Sequence, residues 1–185
     1  PSASICALTS SRTDRYGDFI DLCAALTARV PYLGLHRPEN RIATVVIQAP
    51  EIERTGFARD LYFSCLVYVL GSRTAGEVPA IMGLPCDTSE DDLKALAACG
   101  ASAGALALFH AVGITPEALT LSDAAGGSAA HLRRSEISVE DLRIALDEYV
   151  RELQSLQGLL RTKDGEALLK FFQTAKQRRD NWVCR

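Results

Sequence analysis

Four short runs, at residues 5–9, 42–49, 78–83 and 105–110, are apolar at consecutive positions rather than alternate ones. A strand that alternates shows one face to water, whereas a strand without alternation is covered on both faces. Between these runs the spacing changes. Phe19, Leu22, Cys23 and Leu26 recur at helical intervals within residues 16–30, and Pro31 closes that stretch. Residues 57–70 are apolar almost all round, which predicts a buried helix. Thr88 and Ser89 precede Asp91 and Asp92 in a capping-box pattern that predicts a helix over 90–102. Strands and helices that alternate in this way predict an α/β fold, a parallel sheet with helices on both faces.

The pattern changes after residue 120. Residues 123–128 have loop composition, and 123–137 is expected as a linker. Ser138 and Asp141 form a second capping box. Leu142, Leu146, Tyr149, Leu153, Leu156 and Leu160 then repeat at four- and three-residue steps, a narrow heptad seam. Residues 162–165 form a turn, and a second helix is expected over 166–182, with Leu168, Phe171 and Phe172 on one side. The expected organisation is an α/β core over 1–122, the linker, and a C-terminal helical hairpin over 138–185 that joins two copies as a homodimer.

The chain has 185 residues and a net charge of −3. That balance disfavours a general nucleic-acid binder. Residues 161–185 are locally basic, with seven Lys or Arg against three Asp or Glu, which fits a solvated helix end. No run reaches the roughly 18 apolar residues of a membrane span, and the first residues lack the basic start of a signal peptide. The six cysteines form no CxxC pair and match no zinc spacing. They read as reduced thiols, so a cytoplasmic protein without membrane or nucleic-acid partners is expected.

His110 and His36 are the candidate acid–base residues, because imidazole titrates near neutral pH without help. His110 is expected to end the run 105–110, and His36 lies in a polar loop beside Glu39. Arg12, Thr13 and Asp14 follow the first run, where a guanidinium can grip a carboxylate with two hydrogen bonds. The carboxyl ends of parallel strands face the ligand crevice. Arg12 and His110 are therefore expected to share one cavity at that edge, with His36 in reach. Tyr16 is a candidate phenol donor. Asn40 and Arg41 precede the run 42–49, which puts them at the opposite end of the sheet unless their loop folds back. Glu117 reads as an acid at a helix start, and Cys86 as a lone loop thiol.

Two blocks resemble a known family. Residues 12–19, with Gly34-Leu35-His36 and Glu39-Asn40-Arg41, and a later block of Gly83-Leu84-Pro85, residues 90–96 and residues 107–118 are similar in order and spacing to aconitase X. The resemblance runs from about residue 5 to about 147. It implies a hydro-lyase that removes water from small hydroxy acids, such as hydroxyprolines or a phosphorylated mevalonate. It also implies an iron–sulfur cluster held by cysteines and a separate swivelling domain. No cysteine of this chain falls in a matching ligand motif, so no cofactor and no metal ligand is expected. Asp147-Glu148-Tyr149 and residues 168–182 resemble the C-terminal dimerisation helices of bacterial prephenate dehydrogenases, without the Gly-rich dinucleotide fingerprint of such enzymes. The expected function is a small cofactor-free enzyme that performs elimination, isomerisation or cyclisation on a small-molecule carboxylate. The alternatives are a non-catalytic binding protein and one subunit of a split hydro-lyase.

Overall fold

The computed structural model describes residues 19–74, 76–102 and 106–183. The first helix, α1 (Phe19–Thr27), leads into two 3-10 turns at Gly34–His36 and Pro38–Arg41. The chain then enters β1 (Val45–Gln48), a short α2 (Ile52–Thr55) and α3 (Arg59–Thr74). Strand β2 (Pro79–Met82), helix α4 (Glu90–Ser102) and strand β3 (His110–Ala111) follow. A 3-10 turn at Pro116–Ala118, α5 (Leu121–Ala124), a turn at Ala129–His131 and β4 (Arg133–Glu136) complete the sheet. The hairpin α6 (Val139–Thr162) and α7 (Gly165–Val183) closes the described chain.

The sheet is parallel throughout, in the order β3-β2-β1-β4. One face presents Val45, Ile47, Ile81 and Ala111 to α3, α4 and the start of α6. Leu66 and Leu70 of α3 are fully buried there, each worth about 1.5–3 kcal/mol of transfer free energy. The other face presents Val46 and Ala80 to α5 and the flanking turns, through Ala118, Ala124 and Leu132. Helices therefore cover both faces, as the unbroken apolar runs predict.

The capping boxes form where expected. The Ser89 amide and hydroxyl both donate to the Asp92 carboxylate, and Ser138 does the same to Asp141. Three expectations change. The run 105–110 is not a strand that His110 ends. His110 opens the two-residue β3, while Leu106, Leu108 and Phe109 are buried ahead of it. Residues 123–137 are not a linker, because α5 and β4 lie within them and Ala124, Ala125 and Leu132 are buried. β4 reads Arg-Arg-Ser-Glu and lies at the sheet's edge, held by its backbone pairing to β1, so it carries no apolar run to betray it. Nor is the hairpin wholly separate from the core. Leu142 and Ala145 of α6 are buried against it. The expected first strand at 5–9 lies outside the described residues.

Candidate functional site

Two turns and one short strand bring the titratable groups together. Pro38 starts the 3-10 turn that carries Arg41, its fixed φ suiting the first position. Asn40 Nδ2 donates to the Gly34 carbonyl at 2.8 Å and ties this turn to the preceding one. Arg41 Nη1 donates to the Leu35 carbonyl at 3.3 Å. Arg41 is therefore fixed before β1 begins.

His110 reaches Arg41 across the sheet. It pairs in register with Ala80, which pairs with Val46. Residues in register on parallel strands share a face, so His110 points to the face covered by α5. Its Nε2 lies 2.6 Å from the Arg41 carbonyl oxygen. Beyond β3 the chain turns at Gly113, which has φ +81°, and its amide donates to the Ala118 carbonyl at 2.8 Å. That turn places Glu117 beside Arg41. Arg41 Nε and Nη2 donate to Glu117 Oε2 at 3.0 and 2.7 Å, a two-pronged ion pair. The Arg41 side chain is 5% exposed and the Glu117 side chain 29%.

These residues line a cleft of about 460 Å³ with Asp123 and Gly126 at its other wall. Gly126 has φ +69°, and a Cβ there would meet the Ile42 side chain at 2.9 Å, so the backbone and Ile42 both favour glycine at that wall. Burial pushes the His110 pKa down, against a smaller upward pull from its carbonyl partner and from Glu117. His110 is thus neutral at pH 7. A carbonyl oxygen can only accept, so Nε2 carries the proton and Nδ1 is left as the basic nitrogen.

The location differs from the expectation. β3 begins at His110 and β1 begins after Arg41, so both lie at the amino edge of the parallel sheet, not the carboxyl edge. Arg41, expected at the end away from His110, is its immediate neighbour. His36 is buried in the turn Gly34–His36 and is not among the residues lining the cleft. Asn40 serves the turn rather than the cleft. Arg12, Thr13, Asp14 and Tyr16 lie outside the described residues. Glu117 was expected only as a helix-start acid. The available signal was that His110 and Glu117 fall in one family-like block and Arg41 in the other.

The carboxyl edge carries a different cleft, of about 430 Å³, between the ends of β1 and β4. Gln48, Arg54, Glu136 and Arg143 line it, with no histidine or cysteine. A mostly apolar groove of similar size runs between α3, α4 and α6, with Tyr68, Cys65, Cys99 and Tyr149 along it.

The four described cysteines, Cys23, Cys65, Cys86 and Cys99, do not fit an iron–sulfur cluster. Cys65 lies in the core, where burial pushes its thiol pKa up, away from the thiolate a metal needs. Cys23, on α1, and Cys86, in the loop between β2 and α4, are exposed and far apart in the chain. Among the described residues no three His, Cys, Asp or Glu side chains are grouped to hold a metal ion. No helix among them is long and apolar enough to cross a membrane.

Residues 43–147 match the profile of the aconitase X second domain. Cis-3-hydroxy-L-proline dehydratase of Pseudomonas aeruginosa is 38% identical over 143 residues, which are 77% of this chain and 24% of that protein. The phosphomevalonate dehydratase large subunit of Methanothermobacter thermautotrophicus is 39% identical over 123 residues, 66% of this chain and 29% of that one. The crystal structure of Thermococcus kodakaraensis aconitase X in its holo-form matches with a TM-score of 0.65 and 27% identity, over 79% of this chain and 36% of that one. The chain thus spans about a quarter of the length of the curated relatives it matches.

Proposed function

Because the chain belongs to the aconitase X family, we propose that it performs acid–base chemistry on a small carboxylate-bearing hydroxy acid, in the cleft lined by His110. The observation that supports this most is the clamp on His110. Its Nε2–H is held by the Arg41 carbonyl at 2.6 Å, and burial keeps the ring neutral. A neutral, oriented imidazole is a base near pH 7. Nδ1 takes a proton from the substrate and returns it to the leaving hydroxyl for elimination, or to another atom for isomerisation or cyclisation.

Arg41 is a positioning residue here. Its carbonyl fixes the tautomer of His110, and its guanidinium is already engaged by Glu117. The substrate carboxylate then needs a different anchor; Arg12, Thr13 and Asp14, the sequence candidates for it, lie outside the described residues. None of these steps calls on an iron–sulfur cluster, in keeping with the scattered thiols. Reduced thiols suit a cytoplasmic setting.

A second possibility has its own support. Phe19, Leu22 and Leu26 of α1 are exposed side by side on one helix. In this reading the protein is one subunit of a split hydro-lyase, and the chain that carries the rest of the enzyme covers that stripe.

The test uses the purified chain in metal-free D₂O buffer, with cis-3-hydroxy-L-proline and phosphomevalonate as probes. Loss of water or exchange of a carbon-bound proton is read by NMR. Turnover is expected with at least one probe, and His110→Gln should lower it roughly 10²- to 10⁴-fold. Turnover unchanged in His110→Gln overturns the assignment of the base. No turnover until a second chain and iron are supplied favours the split enzyme instead.

A further inference from the structure

The geometry points to a second copy of this chain as the partner of the hairpin: α6 and α7 of two copies pack into one four-helix bundle. The assembly is independent of the chemistry assigned to the cleft.

The heptad seam of α6 changes environment along its length. Leu142 is fully buried on the sheet's helical layer and Leu146 is partly buried against it. From Tyr149 onward the same stripe leaves the core, with Tyr149 62% and Leu160 58% exposed, and Leu153 exposed between them. α6 has 24 residues, a length of about 36 Å at the helical rise. Only its first turns rest on the domain. α7 covers part of the remainder. Its Leu168 and Phe171 are half-buried, while Leu169 and Phe172 face outward, Phe172 at 54%. Two helices alone cannot bury stripes this wide, whereas two hairpins can, around a shared core. The apolar surface left on Tyr149, Val150, Leu153, Leu160, Leu169 and Phe172 is on the order of 600 Å² per copy, near the about 800 Å² per partner of a standard interface.

Two observations favour a second copy over another partner. The family match ends at residue 147, where the seam leaves the core. Most of α6, beyond that point, and all of α7 lie outside the matched residues. The two helices are also opposite in charge. α6 carries five acidic and three basic residues, and α7 carries two acidic and four basic. Asp147 and Glu148 of α6 and Lys170 and Lys176 of α7 form no ion pair among the described residues. When α6 packs beside the partner's α7, the net-acidic helix meets the net-basic one at both symmetry-related contacts.

Sedimentation velocity on the whole chain at micromolar concentration tests this. The expected mass is that of two chains. Leu153→Asp should raise the dimer dissociation constant at least about 100-fold, because an unpaired charge in a desolvated seam is strongly disfavoured. Leu153 is exposed in one copy, so the circular dichroism spectrum should not change. A charge-swap pair gives the second reading. Asp147→Lys with Glu148→Lys, and Lys170→Glu with Lys176→Glu, should each weaken self-association, and an equimolar mixture of the two variants should restore it. A single-chain mass for the unaltered protein overturns the proposal. So does a dimer that Leu153→Asp leaves intact, or a mixture that associates no better than its components.

Discussion

The Nε2 atom of His110 lies 2.6 Å from the backbone carbonyl oxygen of Arg41, although the two residues are 69 positions apart in sequence. The contact joins the start of β3 to the turn before β1, so the ring's tautomer is set by backbone rather than by another side chain. This makes the tautomer insensitive to replacement of any neighbouring side chain that leaves the turn in place.

The first prediction concerns pH. Burial holds the His110 pKa below its ordinary value, so the unfolded chain binds this proton more tightly than the folded one. The stability it contributes is complete above the unfolded pKa of about 6.5, and is lost as pH falls through the folded pKa. Urea denaturation between pH 7.5 and 5.5 should show the unaltered protein losing stability more steeply than His110→Gln. Equal slopes would mean that His110 is not held neutral by the fold.

A second prediction separates the Arg41–Glu117 pair from its members. Glu117→Ala leaves the buried guanidinium without its carboxylate and should cost about 2 kcal/mol. This is below the 3–5 kcal/mol typical of a fully buried pair, because Glu117 is partly exposed. Arg41→Met combined with Glu117→Ala should recover part of that loss, since no buried charge remains. A double variant as unstable as the two single losses added together would show that the pair does not interact across the cleft.

Gly83 and Gly113 offer a third. Both have positive φ, +82° and +81°. A Cβ at Gly113 meets open space, whereas at Gly83 it would lie 2.8 Å from the Ala49 carbonyl and against the Gln48 amide. Gly113→Ala should therefore cost about 1 kcal/mol from the backbone alone. Gly83→Ala should cost at least about 1 kcal/mol more, because β1 and β2 must shift at their carboxyl ends. Equal midpoints in chemical denaturation would remove the close approach as a cause.

The fourth concerns the start of α6. Asp141 accepts from the Ser138 amide and hydroxyl and from Arg73 Nη2. The Ser138 amide is the main cause holding its pKa below the usual carboxylate value, with a further contribution from Arg73. A depressed carboxylate pKa gives stability above the unfolded value of about 3.9 that is lost as pH falls through the folded one. Asp141→Asn should therefore cost about 1 kcal/mol at pH 7, and the difference from the unaltered protein should shrink below about pH 4. A gap that is constant with pH would show that the charge is irrelevant to the cap.

The helices were legible because their signals are local. Ser89 with Asp92, and Ser138 with Asp141, each close a ring three residues wide, and no distant partner can override it. The strands of β1 and β2 were legible because both their faces are buried, which forces unbroken apolar runs. β4 was not. Its charged side chains face solvent at a sheet edge, and what holds it is the row of backbone groups that β1 offers, with Arg133 donating to the Thr44 carbonyl at 3.1 Å. Backbone pairing leaves no mark on composition.

The site shows the same division. His110, Arg41 and Glu117 could each be picked out as residues that carry chemistry, and the family-like blocks around them are readable in order along the chain. Their meeting place was not readable. It depended on whether the apolar run before His110 pairs in the sheet or packs ahead of it, and the run's composition suits both. Because β3 starts at His110, the ring falls at the amino edge, in register with Ala80, and comes within hydrogen-bond distance of a turn 69 residues earlier. The order of strands and helices, and the caps that start them, follow from side chains within one turn or one face of each other. The cleft follows from register and strand order, which are fixed by the sum of many distant contacts, and so only the tertiary structure decides it.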